Sequence, residues 1–162
     1  MKPAGSVFDK SMKQACTVSM LRKTDVQVQH MITKHYLGRW PDVVTLVLGL
    51  QFLDRYVGVL VYALPPRETN KRYGAAHCWE LARLWVDDCM PKNTETFFIA
   101  RGSAYIKTFR PDVEMLVSYV DPSAGHAGTV YKAANWVSDG RTDERRKTPR
   151  VSKHRFIYDL RG

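Results

Sequence analysis

One stretch constrains the fold of this chain more than any other: CWELARLWVDDCMPKNTETFF, from Cys78 to Phe98. Trp79, Leu81, Arg83 and Trp85 alternate with Glu80, Ala82, Leu84 and Val86, which is the period of a strand. The run breaks at Asp87, Asp88 and Pro91, and a helix restarts near Asn93, a good N-cap residue. A strand feeding a helix N-terminus presents unpaired backbone N–H groups and the positive end of the helix dipole, a physical basis for holding a phosphate. Arg83 interrupts the apolar strand with a cation. Either it lies on the half-exposed face of an antiparallel sheet, or it is buried and then requires a partner or a ligand.

The flanking segments fill in a sheet around this unit. Residues 1–16 are polar and expected to lie loosely on the surface. Thr17 to Leu21 reads as a short strand. Thr24 and Asp25 start a helix in which Val28, Met31, Ile32, His35 and Tyr36 recur at helical spacing, closed by Gly38 and Pro41. Val43–Leu50 and Tyr56–Leu64 are rich in β-branched residues and read as a hairpin across QFLDR. Pro65 and Pro66 end it, and RETNKRYG reads as a loop. The helix from Asn93 carries Phe98, Tyr105 and Phe109 near one face. MLVSYV (Met115–Val120) reads as a buried strand, GHAGTVYKAANW as a loop running into a helix with Tyr131, and RFIYDL as a last strand. The order predicts one α/β (α+β) domain around a mixed sheet, with ligands expected beyond strand ends near Asp87–Asn93 and Asp121–His126.

Charge narrows the partners. The net charge is +9, and residues 141–155 hold seven Lys or Arg against two acidic residues, or +5 of that total. Such a segment suits a polyanion, nucleic acid first, and Arg141, Arg145, Arg146, Lys147, Arg150, Lys153 and Arg155 are the expected phosphate contacts. A charge run is also a common solvated face. Cys16, Cys78 and Cys89 form no CxxC pair and leave one over, which argues against a disulfide framework or zinc knuckle and suits a reducing cytoplasm. The N-terminal residues lack the apolar core of a signal peptide, and Val43–Leu50 is too short to span a bilayer. A soluble protein without a membrane partner is expected.

Five residues invite chemistry, and each also has an ordinary explanation. His35 and Tyr36 are a capping histidine and a core aromatic at a helix end, or a proton carrier beside a phenol. Asp121 ends an apolar strand before Pro122, as a turn-forming Asx residue or as a general base or metal ligand. Tyr131 is a core aromatic or a phenol facing a site. His126, between glycine and alanine in GHAG, is a loop residue or a metal ligand.

The strand–helix unit resembles the GNAT acyltransferase fold, in which the fourth strand and following helix hold acetyl-CoA. Three stretches, HY at 35–36, ELARLWVDDCMPKNTETFFI at 80–99 and LVSYVDPSAGHAGTVYKAANW at 116–136, resemble the phage Mom family of DNA-modification proteins. The resemblance runs from about Asp25 to Gly140. It implies a GNAT-like, mostly antiparallel central sheet flanked by helices, and a transferase converting adenine in double-stranded DNA to a carbamoylmethyl form. That modification protects phage DNA from host restriction enzymes, in the cytoplasm of the infected bacterium. Acetyl-CoA is implied as cofactor, with iron as a second implied group and a dimer left open.

By position, the resemblance implies catalytic roles for His35, Tyr36, Asp121 and Tyr131, and donor contacts from Arg83, Trp85, Val86, Lys92, Asn93 and Thr96. Iron would fall to His35, Asp121 and His126. Base extrusion with stacking on Trp85, Tyr36 or Tyr131 is expected for an enzyme that must reach the adenine amine. The chain departs from the family pattern of acyltransferases at one place: DDCMPKN replaces a glycine-rich pyrophosphate loop and sets two carboxylates there. Two alternatives remain, an N-acetyltransferase acting on a protein or small amine, and a non-catalytic DNA-binding protein.

Overall fold

In the computed structural model, residues 8–35, 38–122, 127–142 and 152–161 are described. Their centre is a seven-stranded sheet in the order β1-β2-β3-β4-β5-β7-β6. The strands are β1 (Cys16–Leu21), β2 (Val44–Phe52), β3 (Arg55–Ala63), β4 (Cys78–Val86), β5 (Met115–Val120), β6 (Val137–Arg141) and β7 (His154–Asp159). Every neighbouring pair is antiparallel except β4 and β5, which run parallel through the crossover helix α4 (Thr94–Phe109). The mixed, mostly antiparallel sheet expected from the sequence is therefore the one observed.

Helices cover both faces. On one, α4 inserts Phe98, Ile99 and Ile106 against Leu48, Leu60 and Leu116, all fully buried. The helix α5 (Ala127–Ala133) adds Tyr131 to the same core. On the other face, Val28, Met31 and Ile32 of α2 (Val26–Lys34) pack on Val47, Val59 and Val61. Burying these side chains contributes roughly 1.5–3 kcal/mol each, so the three-layer stack fixes where β4 and β5 end.

Several expectations are corrected. The first residues described are not loose: Phe8 is buried against Phe97, and Lys10–Gln14 forms a short helix, α1, capped by Asp9. The hairpin turn is Leu53-Asp54, with Leu53 at φ 56°, so a bulky residue occupies a position where glycine is the usual signal. The expected loop after Pro66 contains a single-turn helix, α3 (Thr69–Tyr73), whose Asn70 side chain accepts from Cys78 N at 3.1 Å and sets the entry to β4. On α4 the buried face is Phe98, Ile99, Gly102, Ser103 and Ile106, and Phe109 is 64 % exposed. β6 is an exposed edge strand with no alternation to betray it. No helix among the described residues is long and apolar enough to cross a membrane.

The alternation in β4 does not persist. Tyr62 pairs with Leu81 and Val61 with Arg83, so Ala82 is an extra residue, a β-bulge. Trp79, Leu81, Leu84 and Val86 therefore share the α4 side. Glu80, Arg83 and Trp85 turn to the α2 side.

Candidate active site between two diverging strands

β4 and β5 pair only from Cys78–Met115 to Glu80–Val117. The next β4 carbonyl, Leu81 O, accepts instead from Ser118 Oγ at 3.0 Å. Beyond it the strands part, and a cleft of about 270 Å³ opens between Leu81–Val86 and Ser118–Asp121. By alternation along each strand, Leu81, Leu84, Ser118 and Val120 enter it from the α4 side, and Trp85, Tyr119 and Asp121 from the α2 side. The cleft thus passes through the sheet.

Tyr131 is held at its wall. Its phenol oxygen lies 2.8 Å from Ser118 Oγ. The serine has one hydroxyl proton and a carbonyl can only accept, so Ser118 donates to Leu81 and the Tyr131 phenol donates to Ser118. The Tyr131 ring stacks on Phe156 at 5.6 Å and meets the Trp136 edge at 5.0 Å. With 4 % of its surface exposed, it has no face to offer a base, which corrects the stacking expectation for this residue. Asn135 at φ 68° closes α5 and lets Trp136 N donate back to Tyr131 O, fixing that aromatic cluster.

His35 reaches the cleft from the end of α2 and is 8 % exposed. Burial, and then the Arg83 guanidinium, push its imidazole down to about 4, so it is neutral at pH 7. Asp121 is half-buried at the cleft mouth. Three polar lining residues were not singled out from the sequence: Glu95, from the first turn of α4, Ser118 and Tyr119. A small hydroxyl side chain inside the apolar strand MLVSYV was the signal for Ser118. Glu95 had none beyond its place in an N-terminal turn.

The donor-side residues divide. Trp85 and Val86 line the cleft. Asn93 adopts φ 77°, the left-handed conformation a glycine loop would otherwise supply, and leads into the sixteen-residue α4. Lys92 is exposed beside it, and Thr96 Oγ1 donates to Val130 O at 3.5 Å. Of the two carboxylates in this loop, Asp87 is turned away: it accepts from Cys89 N at 2.9 Å and Arg55 at 3.1 Å, which hold its carboxyl below the usual range. Arg83 is placed elsewhere. It is 8 % exposed, so the surface reading is wrong, and it donates to Arg39 O at 2.8 Å and Ala82 O at 2.7 Å on the α2 side of β4.

Of the basic segment, Arg141 and Lys153 are exposed. Arg155 is not a solvent-facing contact: it is buried and donates to Asp139 at 3.2 Å. Tyr36, His126, Arg145, Arg146, Lys147 and Arg150 lie outside the described residues. Among the described residues, no three His, Cys, Asp or Glu side chains converge as a metal site.

A parallel pair splayed inside an otherwise antiparallel sheet, with a helix following the inner strand, defines the class. The fold is that of the GNAT acetyltransferases. A Bacillus subtilis acetyltransferase in complex with CoA superposes with a TM-score of 0.66, at 10% identity, over 89% of this chain and 98% of that one. A GNAT family acetyltransferase from Elizabethkingia anophelis with acetyl-CoA bound gives 0.66 at 7% identity, over 90% and 98%. Within that class the sequence is more specific: the Mom protein family matches residues 16–155, and the chain belongs to it. The methylcarbamoylase mom of Escherichia phage Mu is 37% identical over 113 residues, which are 64% of this chain and 45% of that protein. The chain therefore matches less than half the length of that relative.

Proposed function

We propose that this protein is a transferase that converts adenine in double-stranded DNA to its carbamoylmethyl form, using acetyl-CoA, and so shields phage DNA from host restriction. The observation that carries the reading is the cleft through the sheet, in a chain of the Mom family, with His35, Asp121 and the Ser118-held phenol of Tyr131 on its walls.

The described residues fit a CoA-type donor. Past Glu80 and Val117 the facing edges of β4 and β5 carry main-chain groups with no ladder partner, suited to a strand-like pantetheine arm. The α4 N-terminus offers its N–H groups to the diphosphate, with Lys92 beside it and Asp87 already neutralised by Arg55. When bound, acetyl-CoA would supply the two-carbon unit. Asp121 is a carboxylate on the cleft wall, suited to moving a proton there. With its imidazole near 4, His35 is a weak base at pH 7 and serves as a neutral hydrogen-bonding group. Tyr131 presents a phenol whose direction is set by Ser118. Linking the amine through a carbon that is normally a methyl needs redox chemistry beyond proton transfer. Iron, implied by resemblance, finds no ligand set among the described residues, and no step is assigned to it.

The test is DNA from cells expressing the protein, digested to nucleosides and analysed by mass spectrometry. An adenosine heavier by a carbamoylmethyl group is expected, absent for Asp121→Ala and reduced roughly 100-fold for Tyr131→Phe, the lower end of a general acid–base contribution. Unmodified adenosine with folded, expressed protein overturns the reading.

A further inference from the structure

On the α2 side of β4 lies a second pocket, of about 610 Å³, between the segment Arg39–Asp42 and the end of β3 at Ala63–Pro66. Its floor is Glu80 and Arg83, and Trp40 is part of its wall. The volume falls within the roughly 300–1,000 Å³ of small-molecule sites.

Glu80 is the unusual group. Asp42, Asp54 and Glu68 are exposed, whereas Glu80 is half-buried with no hydrogen-bond donor found for it among the described residues. Burial raises its carboxyl above the ordinary value, with Arg83 and Lys153 opposing. Glu80 lines this pocket, where its half-buried carboxylate can accept from a ligand N–H. Trp40 is half-buried at the pocket wall, where a flat ligand meets an aromatic surface. Lys23 lies 5.2 Å from the Trp40 ring and adds a cation at the rim.

We propose that this pocket is the acceptor site, receiving a planar nucleobase swung out of the duplex, with Glu80 accepting from its exocyclic amine and Trp40 stacking on its ring. The assignment rests on the DNA-adenine reading above and adds where the base goes. Placement agrees with the chemistry. The bulge at Ala82 turns Glu80, Arg83 and Trp85 to one side of β4, and the donor cleft opens through the sheet beside them. His35 joins the two, lining the cleft while feeling the Arg83 charge. A base entering from the α2 side thus approaches a donor entering along α4. Arg39 is an exposed cation on the pocket wall, able to meet a phosphate of an extruded nucleotide.

The test uses the full chain with dAMP and dTMP as probes, read by quenching of tryptophan fluorescence, together with the nucleoside assay in cells. dAMP is expected to bind and dTMP, which lacks an exocyclic amine, to bind at least tenfold more weakly. Glu80→Ala and Trp40→Ala should each weaken dAMP roughly tenfold or more, as expected for a lost charged hydrogen bond or stacking platform. Glu80→Gln keeps a carbonyl acceptor in the same shape and should stay within about threefold, which also controls for folding. Equal affinity for dAMP in wild type, Glu80→Ala and Trp40→Ala overturns the pocket assignment, as does the absence of dAMP binding. Modified adenosine in cells with Glu80→Ala fully active overturns it too, while leaving the proposed activity standing. Glu80-dependent dAMP binding without any modified adenosine removes the proposed activity and keeps the base pocket.

Discussion

His35 makes acid stability a direct report on the candidate site. Its imidazole is held at about 4 against an ordinary 6.5, chiefly by burial and secondly by Arg83. Between those two values the unfolded chain binds a proton that the folded protein refuses, so stability falls as the pH is lowered through that window. The stabilisation is complete above about pH 6.5 and exhausted near the folded value. For a difference of about 2.5 units the loss is about 1 kcal/mol by pH 6, 2 by pH 5 and 3 by pH 4. Glu80 works in the opposite sense, since a carboxyl raised by burial favours the folded state as it protonates. The measurement is therefore a difference: urea unfolding of wild type and His35→Gln at several pH values, each extrapolated to water. Glu80 is common to both proteins and cancels. The wild type should lose about 3 kcal/mol relative to His35→Gln between pH 7 and pH 4. Parallel curves, or an imidazole that titrates near 6.5 by NMR, would refute the reasoning and restore His35 as an exposed capping residue able to act as a base at neutral pH.

Two further outcomes test the frame around the site. A Cβ at Gly102 collides with the buried Tyr62 hydroxyl and comes within 2.9 Å of Leu60 Cδ1, and that hydroxyl has no hydrogen-bond partner among the described residues. Gly102→Ala should thus destabilise by about 1–2 kcal/mol despite a helix-propensity gain of about 1 kcal/mol. In a Tyr62→Phe background it should become neutral or stabilising; additive effects in the double-mutant cycle by thermal unfolding would contradict the clash. Arg155→Met should cost about 1 kcal/mol, since Asp139 keeps Tyr73 and Arg72, whereas Lys153→Ala should leave stability unchanged and, on the DNA reading proposed above, lower the salt slope of DNA binding by about 1. The reverse pattern in unfolding and filter-binding measurements would make Arg155 a solvent-facing contact instead.

Legibility followed the length and burial of each element. β2, β3, β5 and α4 were readable because buried apolar runs bounded by Pro, Asp and Asn leave few alternatives, and the parallel β4–β5 crossover follows from the helix between them. α3 and β6 were not, since one turn of helix and a five-residue edge strand are too short or too exposed to carry a period. Of the site, Asp121 and Tyr131 stood out as polar or aromatic groups at strand and helix junctions, and both line the cleft. The hydrogen bond between Tyr131 and Ser118 was out of reach, because it joins residues on separate elements. The basic segment misled at Arg155: composition counts charges without knowing which one points inward to Asp139.

The bulge at Ala82 is the step at which pattern and structure part, and the site depends on it. With strict alternation, Arg83 and Trp85 would lie with Trp79 and Leu81 on the α4 side, and the guanidinium would enter the core built by Phe98 and Ile99. That core is apolar, and a buried cation there without a counter-charge costs several kcal/mol. One extra residue removes the conflict. It sends Arg83 toward Arg39 O and Ala82 O, brings Leu84 and Val86 back to the α4 core, and leaves Leu81 O to be met by Ser118 rather than by a β5 amide. The same insertion therefore seats the cation, accompanies the opening of the cleft between β4 and β5, and gives β4 a polar face toward α2. An isolated Arg in an apolar strand is, in this chain, the sequence trace of that bulge. Replacing Arg83 with an apolar residue removes its reason to face α2, so its loss bears on both sides of the strand together.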